Sequence, residues 1–331
     1  MPGAMKYIDC DAGGFRSGQI DSRKPASFYR VKERTNIWDF EEKKLKGKPL
    51  FTRGYIEAAA KRRDECREGG ALDWRRSYEM SKDPEKYTTE QVPLARVPSR
   101  RAAGSAESVA ELVKDLQQRW LVSKMCAQLR ELLRKTADKM PRIEKIICFG
   151  LGSISSFPEW YPGFGDQYPG WLSRMSTRNY ILQHLGAVTI AATLNEVYGK
   201  VTDRPPIRIL AQDPGYTDTD RSILSELEIP MEIINDPEGF LAIDESTFIM
   251  TCRCAAPVYE IAADLTASSQ CGRGPAAFIA DELGLAGEPI EYVHAWNRET
   301  PRVMRFLECY EMRSFDDFVV SSEEFKELWE Q

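Results

Sequence analysis

The sequence predicts an α/β fold: a Rossmann-like, mostly parallel sheet with helices on both faces, preceded by a basic, helical N-terminal extension. Three observations predict it. Short apolar runs rich in β-branched residues recur between helical patterns from about residue 145 onward. One long amphipathic stripe, Ser105 to about Lys139, precedes them and reads as the cover of a sheet face. The charge is also split along the chain. Residues 1–140 hold 30 Lys and Arg against 21 Asp and Glu, a net of +9, and the remainder carries −15.

The elements follow in order. Residues 1–35 show no sustained period and read as a mobile lead-in, with a short amphipathic helix around 36–46 that Pro49 ends. Residues 52–68 read as a helix capped by Thr52 and stopped by Gly69 and Gly70. Four Pro and Gly residues among polar neighbours mark 81–104 as a linker. The boundary therefore falls between an extension, 1–104, and an α/β domain, 105–331. Ser105 opens a single predicted helix ended by Pro141. Its stripe is Val109, Leu112, Val113, Leu116, Trp120, Leu121, Met125, Leu129, Leu132, Leu133 and Met140.

Lys145–Gly152 is a buried strand running into a tight glycine turn, and a helix follows from about Ser176 to Tyr198. Ile207–Asp213 is the second strand. Thr217 and Asp220 form a capping-box pattern for a helix to about Leu227. Met231–Ile234 and Thr247–Cys252 are the third and fourth strands. Pro257 sits at the start of a helix over Val258–Leu265. Residues 275–285 fit either strand or helix. Phe318–Val320 reads as a last strand, and Ser321 caps a terminal helix.

The composition excludes several classes. No run of ~18 apolar residues exists, so no membrane helix is expected. The N-terminal MPGAMKYIDCDAGG lacks an apolar leader, so a cytoplasmic or nuclear place and reduced thiols are expected. With His184 and His294 the only histidines, a three-His zinc site is excluded. Cys252 and Cys254 would share one face of a strand. They read as small apolar residues ahead of a redox or soft-metal pair, so no metal is expected.

Chemistry concentrates after the strands. Gly150 and Gly152 end the first one, where ligands of open parallel sheets bind, and Ser153, Ser155 and Ser156 there are candidates to meet phosphate or carboxylate oxygens. Ser155 stands where a dinucleotide fingerprint has its third glycine. Asp213 ends the second strand, the position from which such folds hold a ribose hydroxyl. Asp213-Pro214-Gly215 is equally good turn chemistry. The segment 157–171 carries six aromatic rings, Trp160 and Tyr161 among them, with three prolines and three glycines. It reads as irregular, a lid or partner-binding loop over the same edge. Arg253 and Cys254 follow the fourth strand, Arg253 as an anion-binding candidate. His184 falls within a helix and reads as packed or solvated rather than as a base. No nucleophile–base pair and no paired carboxylates occur at a diagnostic spacing, and no cofactor is identified.

These motifs resemble the SRR1-like domain, a family named for a plant light-signalling and clock regulator. The resemblance runs from about Glu107 to Asp281. Cys148, Gly150, Leu151, Gly152 and Ser153 match its C-x-G-L-G-S strand-turn, and Asp213 and Pro214 match its D-P. In its His-Cys-Pro-like triplet, Arg253 stands where His is common, Cys254 and Tyr259 match, and Pro257 is displaced. The aromatic segment and the first hundred residues resemble a fungal-type elaboration. The resemblance implies a strand at Phe278–Asp281 and a regulatory protein of a family linked to clock and light signalling, haem-linked control and cytoskeletal phenotypes. It carries no agreed catalytic activity.

The expectation is a regulator that acts through a protein partner and holds a nucleotide-like small molecule at the glycine edge. The alternative is an adenosine-cofactor, methyltransferase-like enzyme. A nucleic-acid role through the basic region is the least favoured. That region is instead expected to dock on the acidic part of its own chain.

Overall fold

The structure is a computed structural model that describes residues 40–65, 71–72, 94–95, 100–158, 170–199, 205–252, 254, 256–267, 274–280 and 300–311. A π-helical turn at Phe40–Leu45 leads into helix α1, Arg53–Glu65, whose start is capped by the Thr52 hydroxyl accepting from Tyr55 N. Strands β1 (Ala71–Leu72) and β2 (Leu94–Ala95) pair antiparallel, and β3 is Arg100–Ala102. Helices α2 (Ala106–Val122) and α3 (Lys124–Thr136) precede β4 (Lys145–Phe149) and β5 (Ser156–Pro158). Then come α4 (Gly170–Tyr198), β6 (Arg208–Gln212), α5 (Asp218–Ser225), β7 (Met231–Ile233), α6 (Glu238–Leu241), β8 (Thr247–Thr251), α7 (Val258–Ala267), β9 (Ala277–Ile279) and α8 (Pro301–Leu307).

The five strands β7-β6-β4-β8-β9 form one parallel sheet in that order. The chain fills one side of β4 first, then jumps to the other, so strand order reverses between β4 and β8. This reversal is the topological switch point of an open α/β sheet. The central strands β6, β4 and β8 are buried over Ile209–Gln212, Ile146–Phe149 and Thr247–Thr251, which is why they read as nearly unbroken apolar runs. Side chains alternate between the faces. Ile146, Cys148, Ile209, Ala211, Phe248 and Met250 join one core with α2, α3, α4 and α5. Ile147, Phe149, Leu210 and Ile249 join the other, with α1, α6 and α7. The Phe149 and Phe240 rings stack there at 4.5 Å.

The single helix expected over Ser105–Lys139 is two. Ser123 is extended (φ −75°, ψ 150°), its hydroxyl donates to Trp120 O at 2.7 Å, and it accepts from Cys126 N at 3.1 Å. One residue thus closes α2 and caps α3, and Ala137–Lys139 ends the run as a 3₁₀ turn. The apolar stripe continues across the break because Val109, Val113, Leu116, Trp120, Cys126, Leu129 and Leu133 all face the sheet, while Leu121 is left 45% exposed. Periodicity registers the common face and is blind to a one-residue cap.

Other expectations are corrected. The segment 157–171 is regular at both ends: Phe157 and Pro158 belong to β5, and Gly170 and Trp171 to α4, so the helix expected from Ser176 starts six residues earlier. The linker 81–104 contains β2 and β3, and β3 pairs antiparallel with β5. Pro257 precedes α7 instead of occupying its first turn, its carbonyl accepting from Ile261 N at 3.0 Å. β8 ends at Thr251, and beyond it Cys252 packs with the first core and Cys254 with the second, so the two thiols do not share a face. The Thr217–Asp220 capping box forms as expected, and 275–285 contains the parallel strand β9. The expected strand at Phe318–Val320, the Ser321 cap and His294 lie outside the described residues.

Candidate functional site

The glycine turn leaves the carboxyl end of β4 beside the switch point. Gly150 (φ +71°) and Gly152 (φ +79°) occupy left-handed backbone that glycine alone adopts cheaply. Both also admit no side chain. A Cβ on Gly150 would lie 2.8 Å from Cys254 Cα, and one on Gly152 2.6 Å from the Tyr180 ring. The chain itself thus occupies the place a side chain would take at both glycines.

Asp213, at the carboxyl end of β6, ties two loops together. Its Oδ2 accepts from Gly152 N at 3.0 Å and its Oδ1 from Gly215 N at 2.7 Å. Burial pushes its carboxyl up, the two N–H groups and the nearby Arg100 guanidinium pull it down, and Asp220 pushes it up. Asp220 is fully buried and accepts from Ser153 Oγ (2.8 Å), Ser155 N (2.8 Å), Thr217 N (2.7 Å) and Thr217 Oγ1 (2.9 Å). Ser153 and Ser155, the candidates for phosphate or carboxylate oxygens, are 0% and 5% exposed. The Ser153 hydroxyl donates to Asp220, and that of Ser155 pairs with Thr217 Oγ1 at 2.8 Å. Ser156 accepts from Arg100 Nε at 2.8 Å, and its carbonyl accepts from Arg100 Nη2 at 3.0 Å.

Behind the turn, His184 is 1% exposed. Its Nδ1 meets Tyr180 O at 2.5 Å and its Nε2 meets Tyr216 Oη at 2.7 Å. A carbonyl only accepts, so Nδ1 carries the proton and Nε2 accepts from the phenol. Burial pulls the imidazole down to about 4, against the Tyr180 carbonyl and Asp220, so it is neutral at pH 7. Burial pushes the Tyr216 phenol well up. The Cys254 thiol is pushed up to about 12, first by burial and then by Asp213 and Asp236, which leaves it a poor nucleophile at neutral pH. Next to it, Gln212 donates to Asp236 Oδ1 at 2.9 Å and accepts from Gly239 N at 2.7 Å.

The structure therefore brings Gly150, Gly152, Ser153, Ser155, Asp213 and Cys254 to one edge. Arg253, Trp160 and Tyr161 lie outside the described residues. Sequence reasoning missed Arg100, Tyr180, Tyr216 and Gln212. Arg100 sits in a three-residue strand within a Pro-bounded stretch, where no pattern signals a contact with Ser156. The capping-box pattern did mark Asp220, but only as a helix start. Among the described residues, no group of three His, Cys, Asp or Glu is placed to hold a metal, and no helix is long and apolar enough to cross a membrane. A groove of about 610 Å³ runs along the outer strand β7, lined by Ile207, Arg221, Ile229 and Met231, and none of the candidate residues lines it.

No curated protein and no solved structure matches the chain. A family model described as the SRR1 domain matches residues 123–328, which span β4 through β9, the glycine turn, Asp213 and Cys254. That match covers well over half of the chain, and the chain belongs to the SRR1 domain family.

Proposed function

We propose that this chain is a regulatory SRR1-domain protein that acts through a protein partner and holds a small adenosine-type ligand at the carboxyl edge of its sheet. The observation that carries the ligand reading is the Gly152 N–H donating to Asp213 Oδ2 at 3.0 Å. A glycine turn after the first strand and an acid after its neighbour meet beside the switch point, the arrangement by which doubly wound folds take an adenosine ribose. A regulatory role is supported by how the edge is equipped. Its serine hydroxyls are held by the buried Asp220 and by Thr217, its imidazole by the Tyr180 carbonyl and the Tyr216 phenol, and the Cys254 thiol stays protonated at neutral pH. The methyltransferase-like reading draws on the same edge and gains no observation of its own.

A thermal-shift series with adenosine, ATP, NAD and S-adenosylmethionine tests the ligand. One of them at ~100 Kd stabilises the protein by about 2.7 kcal/mol. Asp213→Asn leaves one acceptor oxygen for two backbone donors, and weakens that ligand at least ~10-fold. No shift with any of the four overturns the adenosine reading. Methyl transfer from the last compound to a protein or small molecule would replace regulation by catalysis. Cross-linking the full chain in its native extract tests partner action, with one stoichiometric protein partner expected and its absence overturning that part.

A further inference from the structure

The second face of the sheet is covered by a segment from outside the SRR1 match. Leu45, Leu50, Phe51, Tyr55, Ile56 and Ala59 are each 5% exposed or less and pack on Ile147, Phe149, Leu210, Phe240, Ile249 and Val258. Every residue of that receiving surface falls within 123–328, and the covering segment lies wholly before it. The polar contacts are as specific as the apolar ones. Asp264 Oδ2 accepts from Leu50 N and Phe51 N, both at 2.8 Å, and pairs with Arg302. Arg302 donates from Nε to Glu41 Oε1 at 2.8 Å and from its backbone N to Glu41 Oε2 at 3.0 Å. Its guanidinium also stands 5.9 Å from the centroid of the Phe51 ring. Arg53 adds a bond to Leu241 O at 3.0 Å.

We propose that Phe40–Glu65 is an intramolecular peptide ligand of the SRR1 module. The module's second sheet face is a docking groove for a helical peptide with a narrow apolar face and a leading acid, occupied in this chain by its own N-terminal segment. Asp264 reads two consecutive backbone N–H groups, Arg302 reads the acid, and the sheet reads the anchors Phe51, Tyr55 and Ile56. This is helix-in-groove recognition with a backbone clamp at the helix entry. A partner that reaches this face has to displace the segment. The inference stands independently of any ligand at the glycine edge.

The test keeps the full chain and inserts a protease site between residues 82 and 90. After cleavage the two pieces co-elute and keep their helical signal. A labelled synthetic peptide of residues 40–65, in excess, then exchanges with the resident segment. The same peptide carrying Ile56→Asp does not exchange, and one carrying Glu41→Gln binds at least ~10-fold more weakly, because Arg302 loses a charged acceptor. These substitutions sit in the peptide, so the folding of the larger piece is not in question. Separation of the pieces on cleavage, aggregation of the larger one, or equal exchange by the Ile56→Asp peptide overturns the proposal.

Discussion

Glu41 and Arg302 stand 261 positions apart and meet through two hydrogen bonds, with the carboxylate side chain 3% and the guanidinium side chain 11% exposed. The polarity is opposite to the charge split of the chain: the acid comes from the basic part and the cation from the acidic part. What docks the described N-terminal segment is apolar surface, sealed by a buried ion triad, not the attraction of two oppositely charged surfaces. Arg302→Met leaves Glu41 and Asp264 buried without their cation and costs ~3–5 kcal/mol in urea unfolding. Hydrogen-exchange protection of Tyr55, Ile56 and Ala59 stays the same between low salt and ~0.5 M salt. Exposed pairs would be screened there, and buried contacts are not.

Gly152 and Gly199 share a left-handed backbone, at φ +79° and φ +66°, and differ in surroundings. Nothing lies within 4 Å of where a Cβ on Gly199 would sit, whereas a Cβ on Gly152 would meet the Tyr180 ring at 2.6 Å. Gly199→Ala therefore costs only the backbone term, ~1–2 kcal/mol. Gly152→Ala adds the displacement of a packed ring, ~1–3 kcal/mol more. Paired denaturation curves measure the difference. Equal costs would mean that Tyr180 moves freely.

His184 makes stability depend on pH. Its folded value, about 4, lies below the 6.5 of the unfolded chain. Below 6.5 the unfolded state therefore binds the proton that the folded state refuses, and stability falls as pH drops toward 4. The full effect is ~3 kcal/mol. Above 6.5 it vanishes. The raised carboxyls of Asp213 and Asp264 act the other way, since the folded state takes up their protons first and gains stability as pH falls. The readout is thus a difference: His184→Gln shows a shallower loss between pH 6.5 and 4 than the parent, whatever its stability at pH 7.

Ser123→Ala removes the hydroxyl that accepts from Cys126 N and donates to Trp120 O. The expected cost is ~1 kcal/mol, that of a lost N-cap. Ser123→Asp keeps an acceptor for Cys126 and recovers most of it. Thermal unfolding of the two variants checks the order.

The sequence by itself determined four of the five strands of the sheet and their direction, and left 275–285, where β9 lies, open between strand and helix. A parallel strand buried on both faces has to be apolar throughout, so Ile146–Phe149, Ile209–Ala211 and Phe248–Met250 announce themselves in one dimension, and the turn chemistry of Gly150, Gly152 and Thr217–Asp220 is equally local. Only the tertiary structure decided what those turns are bonded to. Asp213 and Gly152 lie 61 positions apart, Ser153 and Asp220 67, and Arg100 and Ser156 56. No period links such pairs, because a hydrogen bond between loops depends on where the strands have carried them. The same reason hid the second face of the sheet. Ile56 falls in the helix read over 52–68 of a basic extension and Phe51 just before its cap, and nothing in their spacing tells that Ile147, Phe149 and Asp264 are what they cover.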